Sequence, residues 1–136
     1  MGVIKRAINP EDLAPPVGFA HGWLVEGGAA RSLYFAGQCG YDREGAVQSP
    51  GDLVAQTDRA LANLGCVLRD AGLGYEDVVQ LNFYVLSSDD YHVARQEIGR
   101  VWRRYSGTHY PAMALFAVVS LYDPDAVIEV QGIAVG

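Results

Sequence analysis

Two segments with helical periodicity, one on each side of a segment with strand periodicity, constrain the fold of this chain most. In the first and last segments, apolar residues recur at steps of three and four. Between them, Val79, Leu81, Phe83 and Val85 alternate with more polar residues. The first helical stripe is Thr57, Ala60, Leu61, Leu64, Val67, Leu68 and Ala71, and the second is Tyr91, Ala94, Ile98, Val101, Trp102 and Tyr105. Each segment has one apolar face, which predicts two helices packed on a sheet.

The helix boundaries are predicted from capping residues. The sequence Ser49-Pro50-Gly51-Asp52 is typical of a helix start, with the Ser49 side chain as the cap and the proline in the first turn. Gly72 is placed to end this first helix. Residues 87–90, two serines followed by two aspartates, predict the start of the second helix.

Further β-rich segments are predicted at residues 3–8, 21–25, 32–36, 112–120 and 126–135. Gly27-Gly28 predicts a hairpin turn, and further turns are expected at residues 37–40 and 122–125. The resulting order is β-β-β-α-β-α-β-β. It predicts a single α+β domain over residues 1–136, with one sheet covered on one face by two helices. A length of 136 residues with 50% hydrophobic residues is sufficient for such a core.

The charge balance and the apolar stretches exclude several classes of protein. Sixteen acidic against ten basic residues give a net charge of −6, and no basic block is long enough to bind phosphates, so a nucleic-acid partner is not expected. Residues 110–122 are too short to span a bilayer, and no secretory signal is visible, so we expect a cytoplasmic protein without a membrane partner. Cys39 and Cys66 are interpreted as buried or inert thiols.

Familiar catalytic motifs are absent from the sequence. There is no nucleophile elbow, phosphate-binding loop, dinucleotide fingerprint or His-Glu-x-x-His motif. His21, His92 and His109 lie in different predicted elements and have no metal-ligand spacing. We therefore predict neither a metal site nor another cofactor.

Glu129 is the strongest candidate for chemistry. It lies between Ile128 and Val130 in the last predicted strand, where a carboxylate is costly unless another group pairs with it or uses it. A catalytic carboxylate is one interpretation. The other is a carboxylate that points to solvent or forms an ion pair across an interface.

Arg95 is the second candidate. It lies four residues after Tyr91 and seven before Trp102, so it shares the apolar stripe of the second helix. A ligand-binding role is one interpretation. The alternative is that its aliphatic stem covers apolar surface while the guanidinium reaches solvent.

Short segments spread over nearly the whole chain follow one known pattern in the same order. The most specific are Gly37-Gln38 and the closing Ile128-Glu129-Val130. The complete set is residues 8–10, 16–19, 33–38, 52–57, 60–64, 68–72, 77–79, 111–112 and 128–135. This order resembles the Rid family, also called the YjgF or reactive-intermediate-deaminase family.

The resemblance implies a chorismate-mutase-like α+β fold, with one mixed sheet covered by two helices, assembled as a homotrimer. In such trimers the sheets form a barrel-like centre, and three small-molecule clefts lie between adjacent subunits. The better-known members hydrolyse enamines and imines such as 2-aminoacrylate, releasing ammonia and a 2-keto acid. In them an Arg in a Pro-Ala-Arg-Ser motif binds the substrate carboxylate, and a Glu in the last strand positions the attacking water.

When the family's site residues are transferred to the matching positions of this chain, some are present and others are replaced. Gly37 and the water-positioning Glu129 are present, but Met113 stands where the family has the carboxylate-binding Arg. A thioether cannot neutralise a carboxylate, which disfavours an ordinary amino-acid-derived substrate. The other changes are Ala36 for Ser, Leu115 for Cys, Phe19 for Tyr and Arg95 for Asn.

These changes predict a cleft suited to a larger and less polar ligand. We expect Glu129 to be catalytic, and Phe19, Gly37, Arg95, Met113 and Leu115 to bind the substrate. Arg95 is expected to carry the displaced positive charge across the cleft, where its partner is either Glu129 or a differently placed acid.

Three functions remain open at this point. The first is a divergent Rid-type hydrolase of an imine or enamine intermediate, with Glu129 positioning water. The second is a non-catalytic trimer of the same fold that binds a small molecule or has a regulatory role. The third, translation inhibition or ribonuclease activity, is disfavoured because the composition is acidic.

Overall fold

A computed structural model describes residues 2–17 and 19–136, in which six strands and two long helices enclose one core. The elements are β1 Ile4–Ile8, β2 Gly22–Gly27, β3 Ala30–Gln38, α1 Leu53–Asp70, β4 Val78–Val85, α2 Ser88–Ser106, β5 Ala112–Ala117 and β6 Ile128–Val135, with a single 3-10 turn at Tyr75–Asp77. The predicted order of strands and helices is confirmed. Met1 and Gly18, which belongs to the family-like run 16–19, lie outside the described residues.

The strands form one mixed sheet in the order β1-β2-β3-β6-β4-β5. All neighbouring pairs are antiparallel except β4 and β5, which are parallel because α2 carries the chain back along the sheet between them. β6 pairs with β3 on one side and β4 on the other. The strand that contains Glu129 is therefore central.

The start of α1 differs from its prediction. Asp52, not Ser49, is the cap, and its side chain accepts a hydrogen bond from the backbone N–H of Ala55. Ser49 adopts a positive φ of 57° and lies in the turn before the helix. The prediction was wrong because Asp52 and Ser49 are both good capping residues and only the path of the chain selects between them.

The other predicted helix boundaries are confirmed. The Ser87 hydroxyl accepts from the backbone N–H of Asp90 at 3.1 Å and caps α2. Gly72, with a φ of +75°, follows the last turn of α1. Both helices present their predicted stripes to the same face of the sheet. The contacts are made by Leu61, Leu64 and Leu68 of α1, and by Ile98, Val101 and Trp102 of α2, in one core with Leu81, Phe83, Ile128 and Val130.

The end of β3 also corrects the prediction. Residues 37–40 were expected to form a turn, but the strand continues to Gln38, which pairs with Val130. The register between β3 and β6 shifts between Phe35 and Gln38. Such a β-bulge places an extra residue in one strand and changes which side chains face each side of the sheet.

The last two strands are shorter than expected, since β5 ends at Ala117 rather than residue 120 and β6 begins at Ile128 rather than residue 126. A turn at residues 123–126 joins them, with the N–H of Ala126 donating to the carbonyl of Asp123. In residues 2–17 and 19–136, neither helix has the length and apolar character that crossing a membrane requires.

Candidate functional site

Glu129 lies on the face of the sheet that the helices leave uncovered, beside an open cavity of about 530 Å³. Its neighbours along β6, Ile128 and Val130, point into the core on the other face. The cavity is lined by Ala14, Pro15, Val17, Phe19, His21, Gly37, Tyr41, Gly45, Tyr122 and Glu129. One chain thus brings together three of the predicted site residues, Phe19, Gly37 and Glu129.

Gly37 leaves the space that the Glu129 side chain occupies. A Cβ atom at Gly37 would lie 2.5 Å from Cδ and 2.7 Å from Oε2 of Glu129, closer than any van der Waals contact allows. The β-bulge at the end of β3 places Gly37 in this position. Any side chain at residue 37 would therefore displace the carboxylate.

The Cys39 thiol holds the other oxygen of this carboxylate. Its Sγ donates a hydrogen bond to Glu129 Oε1 at 3.3 Å, and the residue is only 2% exposed. Burial raises the pKa of Cys39 far above its usual value, and the charge and hydrogen bond of Glu129 act in the same direction. The thiol is therefore protonated at neutral pH and acts as a donor.

α1 fixes the segment that carries Cys39. The buried Asn63 amide donates to the backbone carbonyls of Cys39 and Tyr41, at 3.0 and 2.9 Å. Burial raises the pKa of Tyr41 to about 12, and nearby Cys39, Asp123 and Glu129 add to the effect. Tyr41 therefore presents an uncharged phenol to the cavity at neutral pH.

His21 anchors the opposite wall. Its Nε2 donates to the carbonyl of Ala14 at 2.9 Å, and its Nδ1 accepts from the Gln38 amide at 3.2 Å, a tautomer assigned from these two partners. The Phe19 ring packs edge-on against the imidazole, with centroids 5.4 Å apart. Both ring nitrogens are satisfied, so His21 supports the wall rather than offering a free base.

Met113 and Leu115 lie on the other face of the sheet from Glu129. They pair with Leu81 and Phe83, which point into the core, and they are 46% and 36% exposed along β5, at the edge of the sheet. One chain therefore does not bring Met113 or Leu115 to the cavity.

Arg95 is exposed on α2, the helix that packs on the face opposite Glu129. Within the described residues, the observed ion pair joins Arg104 to Asp58, and the side-chain hydrogen bond of Glu129 comes from Cys39. An approach of Arg95 to Glu129 is thus not made within a single chain, and it stays a prediction for an assembly.

The lining residues carry one formal negative charge, that of Glu129, and no lysine or arginine. Three aromatic rings, those of Phe19, Tyr41 and Tyr122, supply much of the wall. Within residues 2–17 and 19–136, no three His, Cys, Asp or Glu side chains converge in a way that could hold a metal ion. The site can therefore offer a carboxylate in an apolar and aromatic setting.

Sequence reasoning missed four residues at this site: His21, Cys39, Tyr41 and Tyr122. Cys39 and Tyr41 follow Gly37-Gln38 within three residues, and this proximity to a predicted site residue was the one indication in the sequence that they could belong to the site. It was insufficient because strand alternation breaks at the bulge, so the direction of each later side chain cannot be obtained by counting.

Residues 17–136 match the sequence profile of the family described as endoribonuclease L-PSP. The chain belongs to this family, which includes the Rid and YjgF proteins. A goat protein named 2-iminobutanoate/2-iminopropanoate deaminase is 27% identical over 133 residues, covering 98% of this chain and 88% of the goat protein. A RutC family protein of Pyrococcus abyssi is 30% identical over 130 residues, covering 96% of each chain.

The solved structures include the YjgF gene product of E. coli, which superimposes with a TM-score of 0.79 at 26% identity. The match covers 96% of this chain and 98% of the E. coli chain. The predicted family and its α+β fold, a mixed sheet covered by two helices, are confirmed.

Proposed function

We propose that this Rid-family protein hydrolyses an imine, or an enamine through its imine tautomer, with Glu129 positioning the attacking water. The observation that carries the proposal is the Glu129 carboxylate, which faces an apolar cavity with Oε1 held by Cys39 and Oε2 against the bare backbone of Gly37. The name of the goat relative, an iminobutanoate and iminopropanoate deaminase, supports this class of reaction.

The reaction needs only water and one proton carrier. Glu129 accepts a proton from water while the water oxygen bonds to the imine carbon, which converts the C=N bond into a single bond. The carboxyl group then donates that proton to nitrogen, which gives a neutral carbinolamine. A second transfer through the same carboxylate moves the hydroxyl proton to nitrogen, and the C–N bond breaks as the carbonyl forms and ammonia leaves. Imine and water thus give a carbonyl compound and ammonia, and Glu129 ends as a carboxylate.

The preferred substrate is expected to lack a carboxylate. The lining of one chain contains no lysine or arginine, and the Arg95 of a neighbouring subunit is expected to pair with Glu129, which leaves no cation to bind a substrate carboxylate. The aromatic rings of Phe19, Tyr41 and Tyr122 instead favour a larger apolar group beside the reacting carbon.

The working unit in this proposal is a homotrimer with a cleft completed by a neighbouring subunit. One subunit would supply Phe19, Gly37 and Glu129, and the next would supply Arg95, Met113 and Leu115 from its exposed surface. Trp23, Tyr34 and Ile133 lie side by side on the uncovered face of the sheet. Trp23 and Tyr34 are each about half exposed, and an apolar face of this kind is typical of an interface.

Tyr34→Lys is expected to abolish assembly while leaving the subunit folded. The side chain is 51% exposed in one chain, so a lysine there is tolerated in the monomer but would place a charge within the interface. Light scattering should give three times the 14.7 kDa subunit mass for the original protein and one times that mass for the variant. Val93→Lys, at an exposed apolar residue on α2 and so on the opposite side of the sheet, is the control and should remain trimeric. A monomeric original protein would contradict the proposed assembly.

The activity is tested by ammonia release from imines generated in the assay by an amine or amino-acid oxidase. A matched pair of imines, one with a carboxylate and one with an aryl group in its place, tests reaction and preference together. Release of ammonia and carbonyl product above the protein-free rate supports the proposal, and faster release from the aryl imine supports the preference. A compound that raises the melting temperature and is recovered unchanged, with no imine hydrolysed, would favour the non-catalytic binding protein instead.

Gly37→Ala is expected to lower kcat by about 10-fold or more with little loss of stability. The new methyl group meets the flexible end of Glu129, so the carboxylate moves and the fold does not. Kinetics and thermal melting measured together separate these effects. Gly27→Ala is a suitable control, because its methyl group would be 3.7 Å from its nearest neighbour. Unchanged kcat in Gly37→Ala would mean that the position of Oε2 is irrelevant to turnover.

A further inference from the structure

We propose that Cys39 is a positioning residue for Glu129, its thiol holding one carboxylate oxygen so that the other faces the cavity. This inference rests on the proposed function, in which Glu129 orients water. It gives a role to a thiol that composition alone assigns to inert burial.

The geometry gives the two carboxylate oxygens different environments. Oε1 accepts the hydrogen bond from Cys39 Sγ at 3.3 Å. Oε2 lies where a Cβ at residue 37 would be 2.7 Å away, on the side of the bare Gly37 backbone that lines the cavity. A carboxylate with one oxygen engaged has fewer accessible rotations about its last side-chain bond, so the second oxygen keeps its direction.

The thiol is itself held in place. Asn63 binds the backbone carbonyl of Cys39, and the Cys39 side chain is almost completely buried. The pKa of the thiol is raised, first by burial and then by Glu129, so the donor proton is retained at neutral pH. A buried S–H that donates to the carboxylate is thus a fixed support rather than a nucleophile.

The thiol donor and the carboxylate that accepts its hydrogen bond are distant in sequence. Cys39 follows β3 and Glu129 lies in β6, 90 residues later. The bulge between Phe35 and Gln38 lets the end of β3 present both Gly37 and Cys39 to the same side chain. The same local irregularity therefore makes space for the carboxylate and supplies its donor.

The first test is spectroscopic and needs no substrate. In Cys66→Ala, Cys39 is the remaining thiol, and its S–H stretching band in the infrared reports its hydrogen bond. We expect this band to lie at lower frequency than that of an unbonded thiol, and to rise when Glu129→Ala is added. A band that does not respond to Glu129→Ala would overturn the proposal.

The second test is kinetic. Cys39→Ala is expected to lower kcat about 10-fold with a smaller change in KM, because the donor acts on the carboxylate and not on the bound substrate. Cys39→Ser retains a donor and should recover most of the loss, whereas Cys66→Ala should match the original protein. Equal kcat for Cys39→Ala and Cys39→Ser, whether both high or both low, would contradict a donor role.

The two proposals fail in different ways. If no imine is hydrolysed by the original protein, the proposed function fails, and the infrared band still shows whether Cys39 holds Glu129. If imines are hydrolysed but the band and the serine variant show no donor effect, the function stands and the role of Cys39 is overturned.

Discussion

Glu129→Gln is expected to lower kcat for imine hydrolysis by about 10²- to 10⁴-fold, the usual contribution of a positioned general base. Glutamine keeps the length and shape of glutamate, so the packing against Gly37 is retained. Its amide, however, cannot take a proton from water and return it to the departing nitrogen. Initial rates of ammonia release with a saturating imine, measured against the protein-free reaction, give the size of the effect.

A matched acidic residue separates this effect from a general change in charge. Glu26 on β2 lies opposite Arg31 on β3 in the strand register, near the hairpin that joins these strands. Gly37 lies near the other end of β3. Glu26→Gln removes the same charge and should keep kcat within a factor of two or so, since a partly exposed charge far from the reaction contributes little. If Glu129→Gln retains full activity, Glu129 is not the group that handles the proton.

Gly132→Ala is expected to give the largest loss of stability of any methyl addition in the sheet. A Cβ at this position would lie 1.9 Å from the carbonyl oxygen of Gln80 and 2.9 Å from the Phe35 ring. Backbone in the adjoining strand cannot move aside without breaking sheet hydrogen bonds. The cost is expected at about 3 kcal/mol, near the upper end for overpacking, with a fall in melting temperature of roughly 10 °C.

Denaturant unfolding followed by circular dichroism measures the change, with Gly27→Ala as the control. Gly27 is also in a strand, but its added methyl group would be in ordinary contact at 3.7 Å. That variant should unfold within about 0.5 kcal/mol of the original protein. Equal stability of Gly132→Ala and Gly27→Ala would show that β4 and β6 are less closely packed at Gln80 than the structure indicates.

Local patterns in the sequence predicted the elements well and their ends less well. The stripes that include Leu61, Leu64, Ile98 and Trp102 predicted both helices, because helical periodicity depends only on residues three and four apart. Ser87 was a reliable cap for the same local reason. The choice between Ser49 and Asp52 failed because it depends on the path of the chain before α1.

Some residues of the candidate site could likewise be identified from the sequence, and others only from the tertiary structure. Glu129 was identifiable because a carboxylate between β-branched residues is costly unless another group pairs with it or uses it. Gly37 was identifiable because the Gly37-Gln38 dipeptide is specific to the family pattern. The tertiary structure gathered Phe19, His21 and Tyr41 around them and left Met113 and Leu115 on the opposite face. That division follows from strand register, which depends on partners remote in sequence.

The sequence by itself determined the order of strands and helices, the faces they bury, the family and one unusual carboxylate. Only the tertiary structure decided that the Cys39 thiol meets Glu129 and that Gly37 leaves room for it. The physical reason is the bulge in β3: one extra residue interrupts the two-residue period, and the side-chain directions beyond it are set by pairing with β6.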